Sequence, residues 1–303
     1  MTAKIQRTYR LEVRGRQRLH VLEDPLTLDF DVERQEFSAA QDSKFTLYNL
    51  SKSSRDDIFL DRELRGLKDD EILPITFSAG YESQGKQAVI FKGNVVGAYT
   101  QRNGSELVTH VQAMDSGQAI ANSTVDKPVP AGWDFIGTLK DVMRTLKGVK
   151  VGEVSVALPP GWTAGPAVFC GNTWEELQKY VPDGGRLFID NGTVHLLGQN
   201  NALLSTGGLN LLNAKSGLLN IPIKNGNTTM VSCVFEPNLF VGQALTLESS
   251  FFPEAGQTKP TGPSVNGLYK VIGIHHHGRI SGVDSSQAIT DLTLLRANSG
   301  TFK

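Results

Sequence analysis

Residues 267–295, GLYKVIGIHHHGRISGVDSSQAITDLTLL, decide how this chain is read. Two strand-like runs flank a polar turn, and the first carries an internal glycine, Gly273, followed by three consecutive histidines. Strand side chains alternate between faces, so His275 and His277 share one face while His276 joins Ile272 and Ile274 on the other. Residues 88–114, AVIFKGNVVGAYTQRNGSELVTHVQAM, follow the same grammar: a run with internal glycines Gly93 and Gly97, a polar turn and an alternating return strand. Upstream of the two hairpins, SKFTLYNLSKSSRDDIF with EILPITFSA and NTTMVSCVFEPNLFVGQALTLES occupy matching places. The match is one of pattern with little residue identity, and it predicts an internal duplication.

The histidines invite a metal site, because His275 and His277 present two ligands from one strand face. Zinc requires a third protein ligand, and His20, His110 and His195 stand in unrelated segments, which leaves Asp284 or Asp291 across the hairpin. The first hairpin has no metal ligands at this position. The expectation is therefore a surface histidine cluster near a hairpin tip, with His275 and His277 as the candidate ligands but no metal or cofactor bound.

Outward from these hairpins, most of the chain reads as strands and turns, with 31 glycines and 13 prolines flanking short alternating runs. TYRLEVR places Tyr9, Leu11 and Val13 on one face, and LTLDFDVERQ places Leu26, Leu28, Phe30 and Val32 inward with Asp29, Asp31 and Glu33 outward. The basic residues of the first run and the acidic row of the second suit cross-strand pairing. The acidic row lacks the turning glycine of a calcium loop. A short helix is predicted in SSRDDIFLDREL, capped by Ser53 or Ser54, with Asp56 and Asp57 in its favourable first turn. The Asn103-Gly104 pair suits a tight hairpin.

The middle of the chain differs. After the linker ANSTVDKPVPAG, the stripe Phe135, Leu139, Val142 and Leu146 predicts an amphipathic helix. NTWEELQKY has Thr173 and Glu176 at capping-box spacing, and GRLFIDNGTVHLLG turns on Asn191-Gly192. Trp133, Trp162 and Trp174 all fall here and are expected in core or interface packing, with Trp162 the most exposed. The expected fold is mainly β with an α+β insert: two similar small β-barrel domains, residues 1–120 and 206–303, joined by an α+β middle domain, residues 121–205.

The 303 residues carry a formal net charge of -1, which gives no bulk attraction to nucleic acid or an anionic membrane. The amino-terminal stretch has no signal-peptide core, and no run of about 18 apolar residues occurs, so cytosolic synthesis without membrane insertion is expected. Cys170 and Cys233 suggest neither a disulfide framework nor a metal knuckle, and both are expected as buried thiols. Searching for a nucleophile elbow, a zinc-protease helix, a phosphate-binding loop or a dinucleotide fingerprint finds none, and the carboxylates fall on strand faces and helix turns. The expectation is that the chain is no enzyme.

LTLDFDVERQEFSAAQDSKFTLYNLSKSSRDDI resembles the first barrel of a baseplate hub protein of contractile bacteriophage tails, and NTTMVSCVFEPNLFVGQALTLES, preceded by SGLLNIPIK, is similar to the second. The resemblance spans most of the chain. It implies a homotrimer whose two similar barrels per chain form a pseudo-sixfold ring that adapts a hexameric tail tube to a trimeric central spike. Implied partners are further copies of the chain, the spike, a tube or tube-initiator protein, and the tape-measure protein in the channel, with no sequence-specific nucleic acid. The implied place is the virion tail baseplate, after synthesis in the host bacterial cytoplasm. Hairpin tips around Asn103 and His276 are the expected contacts to ring neighbours, and Trp162 the expected lateral contact. Paired HxH histidines bind iron in trimeric spike tips of related tails, but this pair is not in a repetitive β-helical tail, and no segment resembles the lysozyme domain that accompanies some hubs. Two other readings stand beside this one: a metal-dependent hydrolase using His275 and His277, and a carbohydrate-binding β module using the tryptophans.

Overall fold

The computed structural model describes residues 6–37, 41–60, 73–158, 163–204, 208–249, 265–281 and 287–297. The first third contributes β1 (Arg7–Arg14), β2 (Leu19–Glu23), β3 (Leu28–Gln35), β4 (Gln41–Tyr48), α1 (Lys52–Ile58), β5 (Pro74–Tyr81), β6 (Ala88–Asn103) and β7 (Glu106–Asp115). Alternation holds where the sequence predicts it: Tyr9, Leu11, Val13, Leu28, Phe30 and Val32 are all buried. Their core includes Phe45, Phe77 and Phe91 in tilted or edge-to-face contact, and it is completed by Phe235, Ile280 and Ala288 from the far end of the chain. The first unit thus needs the last third of the sequence to seal it.

The middle segment forms α2 (Gly117–Asn122), β8 (Thr124–Val129), α3 (Phe135–Met143), β9 (Lys150–Ser155), β10 (Ala167–Asn172), α4 (Thr173–Gln178), β11 (Arg186–Asp190) and β12 (Thr193–Leu197). Phe135, Leu139, Val142 and Leu146 all point into one core, packed with Phe169, Trp174 and Leu177. Asp134 caps α3 by accepting the Gly137 N–H. At α4 the cap is Asn172, one residue before the predicted Thr173, and its side chain accepts the Glu175 N–H at 3.1 Å. Asn191 and Gly192, both at positive φ, turn β11 into β12 as predicted.

The last third adds β13 (Leu211–Leu212), β14 (Ile223–Asn225), β15 (Thr228–Val234), β16 (Ala244–Leu247), β17 (Gly267–Ile280) and β18 (Gln287–Arg296). The duplication is visible in strand order: β4-β7-β6-β5 in the first unit and β15-β18-β17-β16 in the second follow one path, each joined by the same antiparallel hairpin. Both long hairpins slip register at the same point, between Val95 and Gly97 and between Val271 and Gly273. A bulge at a glycine in both copies is a shared device, because it bends the long strand and lets its two halves serve different neighbours. The two units are fused into a single 13-stranded sheet whose path runs from β14 to β2. The protein is mainly β, as the sequence predicts.

Several local expectations are corrected. Helix α1 is capped by Ser51, not Ser53 or Ser54, so Asp56 and Asp57 fall in its last turn. Asp57 is there for another reason: it accepts the Gln17 N–H at 2.8 Å and pairs with His20 Nε2 at 2.6 Å, which ties the helix to the β1–β2 turn. Strand β1 pairs with β2 and β5, so its basic residues do not meet the acidic row of β3. That row faces β17 instead. Cys170 is exposed and only Cys233 is buried. No helix among the described residues is long and apolar enough to cross a membrane.

Candidate functional site

The seam between the two units is the feature that the sequence pattern alone does not reveal. Beyond its bulge, β17 lies antiparallel against β3, with Gly273 opposite Gln35, His275 opposite Glu33, His277 opposite Asp31 and Ile280 opposite Leu28. The near half of β17 pairs with β16 instead, so one strand belongs to its own unit at one end and to the other unit at the other. Gly278 fits β17 against its own hairpin partner β18: at φ 138°, a Cβ there would lie 2.1 Å from the Gln287 carbonyl oxygen.

Buried charges cross the seam. Lys270 on β17 and Glu36 just past β3 pair at 2.7 Å with side chains 1% exposed each. Burial pushes the Glu36 carboxyl above its ordinary range, while Lys270 and Arg186 pull it back. Arg34 grips Asp190 of β11 with both ends of its fork, at 2.8 and 2.9 Å, and donates to the carbonyls of Ile90 and Leu239. Asp190 accepts in addition from the Val241 N–H. One guanidinium therefore joins the first unit, the middle unit and the second unit. Such a pair is dear to desolvate, and its bidentate geometry with satisfied remaining donors is what makes it tolerable. Nearby Asp115 is pushed up to about 6, by burial and by Asp190, against the pull of Ser116 and Arg34.

On the outer face, Arg279 holds Asp29 through two nitrogens and meets the Tyr48 hydroxyl at 3.0 Å. The acidic row of β3 is thus answered from β17: Asp29 by Arg279 and Asp31 by His275.

The histidine row does not sit at a hairpin tip. It lies within β17, with β3 on one side and β18 on the other. His275 and His277 are half-buried on the outer face, and Asp291 joins them from β18, as one of the two alternatives in the sequence allows. Asp284, the other alternative, lies outside the described residues, as does Trp162. His276 is corrected most: at 0% exposure it lies inside the protein, its ring edge-on to Phe235 and its Nδ1 bonded to Thr290 Oγ1 at 2.9 Å. Burial, then the Arg34 charge and the flanking histidines, hold it well below the usual imidazole range and neutral. It is not available to a ring neighbour. Asn103 does stand exposed at the tip of its hairpin, where it is the last paired residue and Gly104 opens the turn. Trp133 packs on Phe135, Phe169 and Tyr180, and Trp174 is buried.

Aligning the two bulges gives a residue-level correspondence. Tyr99 opposite His110 matches His275 opposite Asp291, and Thr100 opposite Thr109 matches His276 opposite Thr290. The inner pair is hydrogen bonded in both copies, Thr100 to Thr109 at 3.0 Å and His276 to Thr290 at 2.9 Å. Arg34, Asp190 and Lys270 were not singled out by sequence reasoning. Arg34 and Glu36 continue the inward parity of Phe30 and Val32, and a charged pair on an apolar parity was the available signal.

Two copies of one strand path, joined edge to edge and carrying an α+β unit between them, define a doubled mainly-β fold of the tail-protein class. The sequence matches the family described as Baseplate hub gp41 over residues 8–274, and the chain belongs to that family. Its role is structural, in the tail baseplate. The fold is similar to that of a tail protein from Neisseria meningitidis MC58, with TM-score 0.55, 10% identity, and 95% of this chain and 96% of that one covered. It is also similar to the 43 kDa tail protein of prophage MuSo2 from Shewanella oneidensis, with TM-score 0.56, 9% identity and coverage of 97% and 100%. A third likeness is the E. coli c3393 protein, a type VI secretion component described as similar to T4 tail proteins gp27 and gp5, with TM-score 0.54, 10% identity and coverage of 97% and 78%. Comparison with curated protein sequences gave no match.

Proposed function

We propose that three copies of this chain close into a ring of six similar units in a contractile baseplate, which adapts a hexameric tail tube to a trimeric central spike. One observation carries the reading: two units of the same strand order are joined, within one chain, by β17 of the second pairing with β3 of the first. A head-to-tail contact of this kind makes a closed ring when the same contact repeats between chains. In that ring the far end of β6, beyond its bridge at Ala98, plays the part of β17, and β14 of the next chain plays the part of β3. β14 ends the sheet path with all three residues exposed, and Ile223 and Met230 leave apolar side chains beside this edge. In this reading Gln101 of one chain lies opposite Ile223 of the next, by analogy with His277 opposite Asp31 within one chain.

The same reading assigns the spike, the tube or its initiator, and the tape-measure protein as partners, meeting strand ends and loops such as the exposed turn at Asn103. No catalysis and no cofactor take part in it. The segment around Trp162 is kept as a lateral contact. The test is the absolute mass of the purified chain by light scattering: three times 32.9 kDa supports the ring, and a monomer that stays monomeric with its spike overturns it.

A further inference from the structure

The outer face of the seam holds a cluster that the hub role does not use. His275 and His277 project from one face of β17, and Asp291 lies opposite His275 on β18. One nitrogen from each imidazole and one carboxylate oxygen lie within 4.8 Å of one another. The two rings stack with centroids 4.5 Å apart. Each is oriented by a carboxylate, His277 Nε2 with Asp291 Oδ2 at 2.9 Å and His275 Nε2 with Asp31 Oδ1 at 3.2 Å. The remaining oxygen, Asp291 Oδ1, is buried and has no hydrogen-bond partner among the described residues. A buried carboxylate oxygen with unused lone pairs, beside two imidazoles, is an unsatisfied acceptor that a cation would satisfy.

We propose that His275, His277 and Asp291 bind a divalent transition-metal ion, Zn²⁺ first among them. Imidazole and carboxylate donors in this mixture suit Zn²⁺, Ni²⁺ or Co²⁺ rather than Mg²⁺ or Ca²⁺, which take oxygen ligands. Bonds of about 2.0–2.1 Å set tetrahedral ligand atoms about 3.4 Å apart, so the cluster closes on the ion by side-chain rotation. Asp31, already bonded to His275, is the outer partner that fixes that imidazole. The ligands come from neighbouring strands β17 and β18, so the ion cross-links that hairpin and reaches β3 across the seam through Asp31. The first unit has no counterpart, since its equivalent positions hold Tyr99, Gln101 and His110, where His110 is bonded to Gln101 and Thr46.

Chelator-treated full-length protein is titrated with ZnCl₂ by calorimetry, and with CoCl₂ while visible absorption is recorded. The expected result is one equivalent bound per chain, a raised melting temperature, and cobalt bands of a low-coordinate nitrogen–oxygen site. His277→Gln and Asp291→Asn each weaken binding by more than about tenfold, and Asp31→Asn weakens it less. Absence of saturable binding at about 100 µM Zn²⁺ overturns the proposal. So does binding that survives Asp291→Asn, which would place the ion elsewhere on the surface. Wild-type protein that takes up cobalt without those bands overturns it also, and this readout requires no variant to fold.

Discussion

The two long hairpins share strand order, bulge position and an inner hydrogen-bonded pair, yet they end in different company. The far half of β17 lies between β18 and β3 and is covered, whereas the far half of β6, on its edge away from β7, is bridged to Leu60 at Ala98 and beyond that pairs with no further strand among the described residues, running on to an exposed tip at Asn103. Neighbours, more than local sequence, set the chemistry at matching positions. Thr100 is half-buried and pairs with a threonine; its counterpart His276 is sealed inside the protein and must stay neutral. A duplicated unit can thus be a partner to itself at one edge and remain open at the other.

The comparison breaks hardest at the buried charges of the covered seam. Arg34→Ala leaves Asp190 buried without its partner and two carbonyls without a donor, and is expected to cost about 3–5 kcal/mol in chemical denaturation. Removing Lys270 alone is expected to act in the same range against Glu36. The double change Lys270→Met with Glu36→Leu recovers most of that loss, because no charge then remains unpaired. If single and double variants lose equally, packing rather than charge holds the seam.

Making the second unit resemble the first sharpens the comparison. His276→Thr recreates the Thr100–Thr109 pair but empties volume beside Phe235, at a cost of about 1–3 kcal/mol at pH 7.5. The sign of its pH dependence follows from linkage: the imidazole, ordinarily titrating near 6.5, is depressed in the folded chain, so the unfolded chain binds the extra proton and wild-type stability falls as pH drops below about 6.5. The variant is expected to lose that acid sensitivity, so its deficit narrows toward pH 5. A deficit that stays constant with pH would mean that His276 accepts its proton in place.

Asp115 works in the opposite direction. Its carboxyl is raised from 3.8 to about 6, so the folded chain holds a proton that the unfolded chain has released, and stability from this group falls as pH rises through about 4 to 6. Asp115→Asn, which keeps a neutral group there, is expected to flatten this stretch of the curve by about 1–2 kcal/mol in denaturant titrations. The smallest effect belongs to the open unit: His110→Ala removes bonds to Gln101 and Thr46 at a half-exposed site and is expected to change stability by no more than about 0.5 kcal/mol.

Much of this is legible in the sequence alone. Period-two alternation locates β1, β3 and β7, and the matching grammar of the hairpins discloses β6 and the duplication, because a half-buried strand must write its face into every second residue. Contacts between segments far apart in sequence were not legible. Nothing in Leu28–Gln35 says that Gly267–Ile280 will lie beside it, so His276 read as a tip residue until β3 and Phe235 covered it. The same blindness hid Asp57, which reads as a helix dipole partner and instead answers His20 and the β1–β2 turn. For the metal cluster the parity of His275 and His277 was readable, but the choice of Asp291 required the hairpin register.

The central claim is that the contact joining the two units inside one chain also joins one chain to the next. Gln101→Cys and Ile223→Cys in one chain, with exposed Cys170 changed to serine, test it by mild oxidation followed by denaturing electrophoresis. The account predicts covalent dimers and trimers that need both cysteines, from a particle of three times 32.9 kDa. A trimer of that mass in which these cysteines never cross-link would contradict it.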